Sequence, residues 1–421
     1  MLEKNNENIS ENNEQKIQVP KFEKNPNFKF DEYIFYSPNK KNIEEVFVSH
    51  NDNKLYIIGI GGKNDNVLLI FQEIDNLNFK KLIKIKDDKE SIRVIRYFYN
   101  SQDNSEYLVS GHRMSSNIFI YDVINNFKKI YTINEDESYF SLQDCLLFFS
   151  NNVIKNNYIY ISSWYKRKRY EIKVYSFDNK YIKTLDDFQI GEILHLLFWH
   201  DKINDKYFII SITEEMIVIN NLLDGEVYTT YENFIRELFV YFKPYKGGYG
   251  FIYQDKYLIT SYGDSLNIFD LYNKSLYKTI KILIYFPFIV NWNDRYTIAI
   301  SLNNNFEMVN YTKYEIIDIE QGKVITSIRK KEKKTIHFTK ILYHPIYGES
   351  FIIVDEHFKG VQLLSSTKIE QKIDFEKQKE NCLDSEDSEE DKDDKKEEEK
   401  KIEEPDNNNN GKIKNKKCLI M

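Results

Sequence analysis

The feature that most constrains this sequence is a repeat. Short segments rich in Ile, Val, Tyr and Phe, with Asn, Asp, Lys and Gly between them, run from about Ile43 to Ile373. They lack a sustained apolar period of about 3.6 residues, so they read as strands. Corresponding segments begin near Val67, Ile118, Ile172, Met216, Leu266, Glu315 and Val361, at gaps of 51, 54, 44, 50, 49 and 46 residues. One unit reads Tyr107-Leu-Val-Ser-Gly111, Asn117-Ile-Phe-Ile-Tyr-Asp122 and Lys129-Ile-Tyr-Thr-Ile133. Another reads Tyr257-Leu-Ile-Thr-Ser261, Gly263-Asp264, Leu266-Asn-Ile-Phe-Asp270 and Leu276-Tyr-Lys-Thr-Ile280. Fourth segments such as Lys180–Leu185, Glu226–Thr230 and Lys323–Ile328 follow the turn pairs Asp178-Asn179, Asp224-Gly225 and Gln321-Gly322, which carry hairpin chemistry.

Four strands per unit at a period of about 40–50 residues predict an all-β fold, a seven-bladed β-propeller of four-stranded blades. Inner segments such as Ile118–Tyr121 and Ile217–Ile219 are apolar on both faces, as a sheet sandwiched between neighbours requires. Ser110-Gly111 followed by Asn117–Asp122, and Ser261, Gly263-Asp264 and Asn267–Asp270, resemble the WD-repeat family over about residues 40–370. The chain has no Trp-Asp dipeptide, so the resemblance implies geometry and assigns no functional residue. Two segments compete to complete the last unit: Phe28–Tyr36 from the N-terminal side, and Lys368–Ile373.

Composition changes outside the repeat. Residues 1–27 read as a polar, disordered arm, 28–376 as the propeller, 377–411 as a disordered acidic linker and 412–421 as a basic tip. Asp384–Asp406 carries 14 acidic and 5 basic residues, a net of −9. With +4 from the tip, the −7 of the whole chain leaves −2 for the remainder, so the repeat is nearly neutral. Ser385 and Ser388 sit among acids and are candidate phosphosites.

The last four residues, Cys418-Leu-Ile-Met421, resemble a CaaX box, which implies prenylation of the Cys418 sulfur, with Met selecting farnesyl. One lipid chain holds a membrane weakly, and Lys412, Lys414, Lys416 and Lys417 supply the second, electrostatic signal. Two further basic clusters are candidate anion-binding loops: Lys166, Arg167, Lys168 and Arg169, and Arg329, Lys330, Lys331, Lys333 and Lys334.

Other chemistry is sparse. His195 and His200 fall on opposite faces of a strand and cannot share a metal. Cys145, in an apolar segment, reads as a buried thiol. Gly247-Gly248-Tyr249-Gly250 lacks the Lys-Ser/Thr of a phosphate loop and reads as a turn. Leu2 excludes N-myristoylation, and the longest apolar run, Ile282–Val290, is too short to span a bilayer and holds Pro287 at an expected turn. The expectation is a non-enzymatic scaffold without metal or bound cofactor. It would bind partner proteins rather than nucleic acid, and lie at the cytoplasmic face of a membrane through its lipid. The alternative is a propeller that reads anionic lipid through its basic loops.

Overall fold

The computed structural model describes residues 31–365, apart from connecting segments of which 233–248 and 301–311 are the longest. Residues 1–30 and 366–421, including the expected arm, linker and tip, lie outside the described residues. The chain is all-β. It opens with β1 (Asp31–Tyr36). Six sheets then follow, each of four consecutive antiparallel strands.

The first sheet holds β2 (Asn42–Val48), β3 (Leu55–Gly61), β4 (Val67–Asp75) and β5 (Asn78–Lys86). The second holds β6 (Ile92–Asn100), β7 (Ser105–His112), β8 (Asn117–Asp122) and β9 (Lys128–Asn134). The third holds β10 (Ser141–Phe148), β11 (Tyr158–Trp164), β12 (Tyr170–Ser176) and β13 (Tyr181–Leu185). The fourth holds β14 (Ile193–Asp201), β15 (Lys206–Thr213), β16 (Met216–Asn221) and β17 (Val227–Glu232). The fifth holds β18 (Gly250–Tyr253), β19 (Tyr257–Tyr262), β20 (Ser265–Asp270) and β21 (Ser275–Lys281). The sixth holds β22 (Phe288–Trp292), β23 (Tyr296–Ile300), β24 (Thr312–Asp318) and β25 (Lys323–Lys330). A further sheet is assembled from both ends of the chain: β26 (Ile336–His344), β27 (Gly348–Asp355) and β28 (Gly360–Ser365) are completed by β1.

Of the two segments competing to complete that last unit, the N-terminal one is used. β1 pairs antiparallel with β28 from Asp31↔Ser365 to Tyr36↔Gly360. Lys368–Ile373 lies outside the described residues.

Each sheet's first strand contacts the first strand of the next, from β2 through β6, β10, β14, β18 and β22 to β26, and β26 returns to β2. The result is a β-propeller-like cycle of repeated sheets. The core lies between successive sheets rather than within them. Phe47, Tyr56, Ile58 and Ile70 of the first sheet pack with Ile95, Leu108 and Phe119 of the second. At the closing joint, Ile43, Val46, Leu55 and Ile57 pack with Leu342, Ile352, Val354 and Val361. Inner and middle strands are therefore apolar on both faces: β3 is buried at every position, whereas the outer strand β21 is mostly exposed. A buried polar contact also crosses the joint, where His344 Nε2 lies 2.8 Å from Glu73 Oε2.

The connectivity gives the cycle two ends. At the leading end each first strand begins, each second strand finishes and the chain passes between sheets. At the hairpin end lie the turns that join first to second and third to fourth strands. Seven of these turns share one rule, while the β18–β19 turn instead has positive φ at Gln254 and Asp255. A Ser, Asn or Asp opens the hairpin and the residue four positions on adopts positive φ, as in Ser49/Asn53, Asn100/Asn104, Asp122/Asn126, Asp201/Asp205, Asn221/Gly225, Asp270/Lys274 and Asp318/Gly322. The opening side chain accepts a backbone N–H two or three residues on: Asp201 Oδ1 from Ile203 at 2.9 Å, Asn221 Oδ1 from Leu223 at 2.9 Å, Asp270 Oδ1 from Tyr272 at 3.0 Å. Such Asx turns satisfy the backbone where the strand ladder stops.

Candidate functional site

An inner edge strand carries backbone N–H groups that the sheet cannot pair. In this cycle the leading end solves part of that problem with charge. A bulge interrupts β2, β10 and β14 near their starts, between Ile43 and Glu45, Leu142 and Asp144, and Ile193 and His195. The residue just past each of these three bulges is polar; the same bulge at the start of β6 and of β26 is followed instead by Val94 and Phe338.

Two equivalent bridges result. Glu45 Oε1 accepts from Val46 N at 3.0 Å, and its Oε2 accepts from Tyr97 N of the neighbouring β6 at 3.2 Å. Lys340 Nζ, from β26 on the other side, donates to Glu45 Oε1 at 2.9 Å. One bridge further round, Asp144 Oδ1 accepts from Cys145 N and from Arg96 Nε of β6, both at 3.0 Å. Its Oδ2 accepts from Leu196 N of β14 at 3.0 Å, and His195 Nδ1 lies 3.1 Å away. Each bridge thus takes a cation from the preceding sheet, a carboxylate from the central one and a backbone N–H from the following one. Together they make a continuous charged arc, Lys340–Glu45–Arg96–Asp144–His195, across five adjacent inner strands.

Burial sorts the arc by sign. The carboxylates are almost wholly enclosed, while the Arg96 and His195 side chains are each 18 % exposed and Lys340 is 35 % exposed. Burial alone would push the Asp144 carboxyl up; the Arg96 charge and then the His195 bond outweigh it and hold it at about 2. For Arg96, burial works against the charge, but Asp144 and Glu45 more than compensate, so its guanidinium is held above its ordinary value. An ionised Asp144 can only accept, so His195 Nδ1–H is the donor and Nε2 is the ring nitrogen left to face other groups. The arc therefore presents fixed N–H donors and an imidazole over a bed of enclosed carboxylates. Chemically it suits carbonyl or carboxylate groups of a docked partner.

Cys418, Lys412, Lys414, Lys416, Lys417, Ser385, Ser388, Lys166, Arg167, Lys168, Arg169, Lys331, Lys333 and Lys334 lie outside the described residues, as do Gly247, Gly248 and Pro287. Arg329 and Lys330, expected in a loop, instead end β25, with Cα partners Lys313 and Thr312. The apolar run continues the outer strand, so the ladder extends over the first two basic residues. Cys145 is buried, as expected. His195 and His200 are held apart as expected: His200 Nε2 sits 2.9 Å from Asp205 Oδ1 at the hairpin end and stacks on Tyr207. Among the described residues no group of His, Cys, Asp and Glu could hold a metal, and no helix is long and apolar enough to cross a membrane.

Four of the five arc residues escaped notice in the sequence. Their signal is the repeat period itself: Glu45, Arg96, Asp144 and His195 stand 51, 48 and 51 residues apart, each a polar residue inside an apolar inner strand. No protein-family model matches the chain, and no curated protein sequence matches it.

Proposed function

We propose that the chain is a seven-bladed β-propeller of the WD-repeat type that serves as a non-catalytic scaffold for partner proteins. A farnesyl group on Cys418, backed by Lys412, Lys414, Lys416 and Lys417, tethers it to the cytoplasmic face of a membrane, with the acidic segment as spacer. The cycle of inner strands, closed by β26 against β2 and completed by β1, is the observation that carries the scaffold reading. The arc supports a binding rather than catalytic role. Its carboxylates are committed to bridging neighbouring strands, and its exposed groups are donors suited to gripping a partner's main chain. Fold alone does not assign function, so the partner-binding role rests on this surface chemistry.

The tether is tested by comparing membrane partition of the wild-type chain with Cys418→Ser in cells that prenylate. Wild type is expected in the membrane fraction, with a prenyl adduct on the C-terminal peptide by mass spectrometry, and the variant in the soluble fraction. Equal partition, or an unmodified Cys418, overturns the tether.

A further inference from the structure

Each sheet of the cycle has an inner and an outer edge, and the charged arc deals only with the inner one. The outer edge belongs to the fourth strand of each sheet, and to β1 in the closing sheet; among the described residues no further strand pairs with it. Such an edge carries a row of unpaired N–H and C=O groups that invites another strand, and proteins guard it with charge, Lys above all. Here β5, β9, β13, β21 and β25 all carry Lys, from four in β5 to Lys183 alone in β13, and β1 opens on Asp31 and Glu32. β17 is the exception. Its sequence, Val227-Tyr-Thr-Thr-Tyr-Glu232, has no Lys or Arg and carries charge only at its last residue. Its other residues are β-branched or aromatic, the types that favour strands.

The edge is also held in place. The Tyr228 and Tyr231 hydroxyls donate to the Leu271 and Asp270 carbonyls of the fifth sheet, each at 3.4 Å, and pin β17 from that side. Lys274 Nζ donates to the Tyr228 carbonyl at 3.0 Å, beside a bulge where the register to β16 shifts between Ile219 and Asn220. A bulge disrupts the ladder, so the hairpin end of β17 is closed to a new strand. Beyond it, Thr229 to Glu232 pair with β16 in unbroken register, from Ile219↔Thr229 to Met216↔Glu232. Thr230, in the middle of this stretch, is exposed.

Charge selects the occupant. Two copies that pair through the same edge are related by a two-fold axis, which sets the strand antiparallel to its own image and any central charge against itself. Lys183, in the middle of β13, would meet its own image, and like charges directly opposite are destabilising. In β17 an axis between Thr229 and Thr230 sets Thr229 opposite Thr230 of the second copy, a favourable Thr pair that symmetry makes twice. The same axis sends Glu232 to the Val227 end of the other strand, away from its own image. We infer that β17 is the edge through which two copies of this chain associate, joining two four-stranded fourth sheets into one continuous antiparallel sheet. The charges on the other outer edges oppose the same pairing there, so association stops at two copies. The contact is short and the dimer accordingly weak and dependent on concentration. The inference goes beyond the scaffold reading and draws neither on the lipid nor on the arc.

The test uses the full chain as Cys418→Ser, so that no lipid contributes, and reads its mass by multi-angle light scattering between about 1 and 200 μM. The mass is expected to rise with concentration from one chain toward two. Thr230→Lys should weaken association about tenfold or more, because symmetry counts the added charge twice, and Thr229→Glu should act in the same direction. Thr230 is exposed, so the melting temperature of Thr230→Lys should match that of its parent. Mixing the Thr230→Lys and Thr229→Glu chains should restore the dimer, because Lys and Glu then stand opposite each other. A mass of one chain across the whole range overturns the inference. So does a dimer that Thr230→Lys leaves intact, which places the contact elsewhere. Two variants that each lose association and do not regain it when mixed overturn the antiparallel edge pairing. Each of these results leaves the tether to its own test, since the chain used here lacks Cys418.

Discussion

Asp144 shows how much one residue holds at the leading end. It is 1 % exposed, and its two oxygens accept from two side chains and two backbone N–H groups spread over three sheets. Removing it leaves Arg96 enclosed without its principal counter-charge, and breaking a buried pair from one side costs about 3–5 kcal/mol. Asp144→Ala should lower stability by that order in urea unfolding, and Arg96→Met should cost at least as much, because it strands the more deeply buried Asp144 carboxylate. The pH dependence has a definite sign. Asp144 is depressed from 3.8 to about 2, so its contribution is complete above about pH 4 and fades as pH falls toward 2. The wild type should lose on the order of 2 kcal/mol through that window beyond what Asp144→Asn loses, measured as urea midpoints at stepped pH. Equal slopes for the two proteins would remove Asp144 from the account of acid stability. Neither residue was legible as a pair in the sequence, where 48 positions separate them and no local spacing joins them. Only the topology makes them neighbours.

Among elements, the hairpins explain an oddity of composition. The chain has only 14 glycines in 421 residues, yet its turns demand left-handed backbone. Asn53, Asn104, Asn126, Asp205 and Lys274 fill that conformation at φ between 48° and 57°, and among the described glycines Gly225 and Gly322 have positive φ. Asn and Asp tolerate this region better than other side chains, so the turns keep their geometry with less glycine. Gly225 is where substitution is least tolerable: its φ is +83°, and an added Cβ would sit 2.7 Å from Leu185 Cδ2. Gly225→Ala should destabilise by about 1–3 kcal/mol in thermal or urea melts, with Gly225→Asn intermediate. The turn pairs Asp224-Gly225 and Gln321-Gly322 were readable in the sequence because turn chemistry is local. Third strands were readable for a similar reason, since each begins with an apolar run after a polar break. The identity of the closing strand was not, because Phe28–Tyr36 and Lys368–Ile373 both have strand composition and the partner of either lies far away in sequence. Hydrogen bonding to β28 decides for the N-terminal segment.

At the scale of the whole molecule, closure makes the two ends of the repeat one sheet. Ile34 and Gln362 face each other in the β1–β28 ladder. Ile34→Cys with Gln362→Cys should therefore cross-link under mild oxidation, while Ile34→Cys with Leu364→Cys, two residues out of register, should not. The cross-link closes a loop spanning most of the chain and should raise the urea midpoint, by up to about 4–5 kcal/mol in stability. A chain that melts as before despite full cross-linking would show that the joint does not limit unfolding. The same pairing also sets a schedule. During synthesis β1 leaves the ribosome before the other described strands, and β28 follows only after roughly 320 further residues, on the order of tens of seconds at about 5–20 residues per second. Throughout that interval the nascent chain carries an aggregation-prone strand whose mate has not yet been translated. The protein's demand on chaperones is greatest before its last repeat exists.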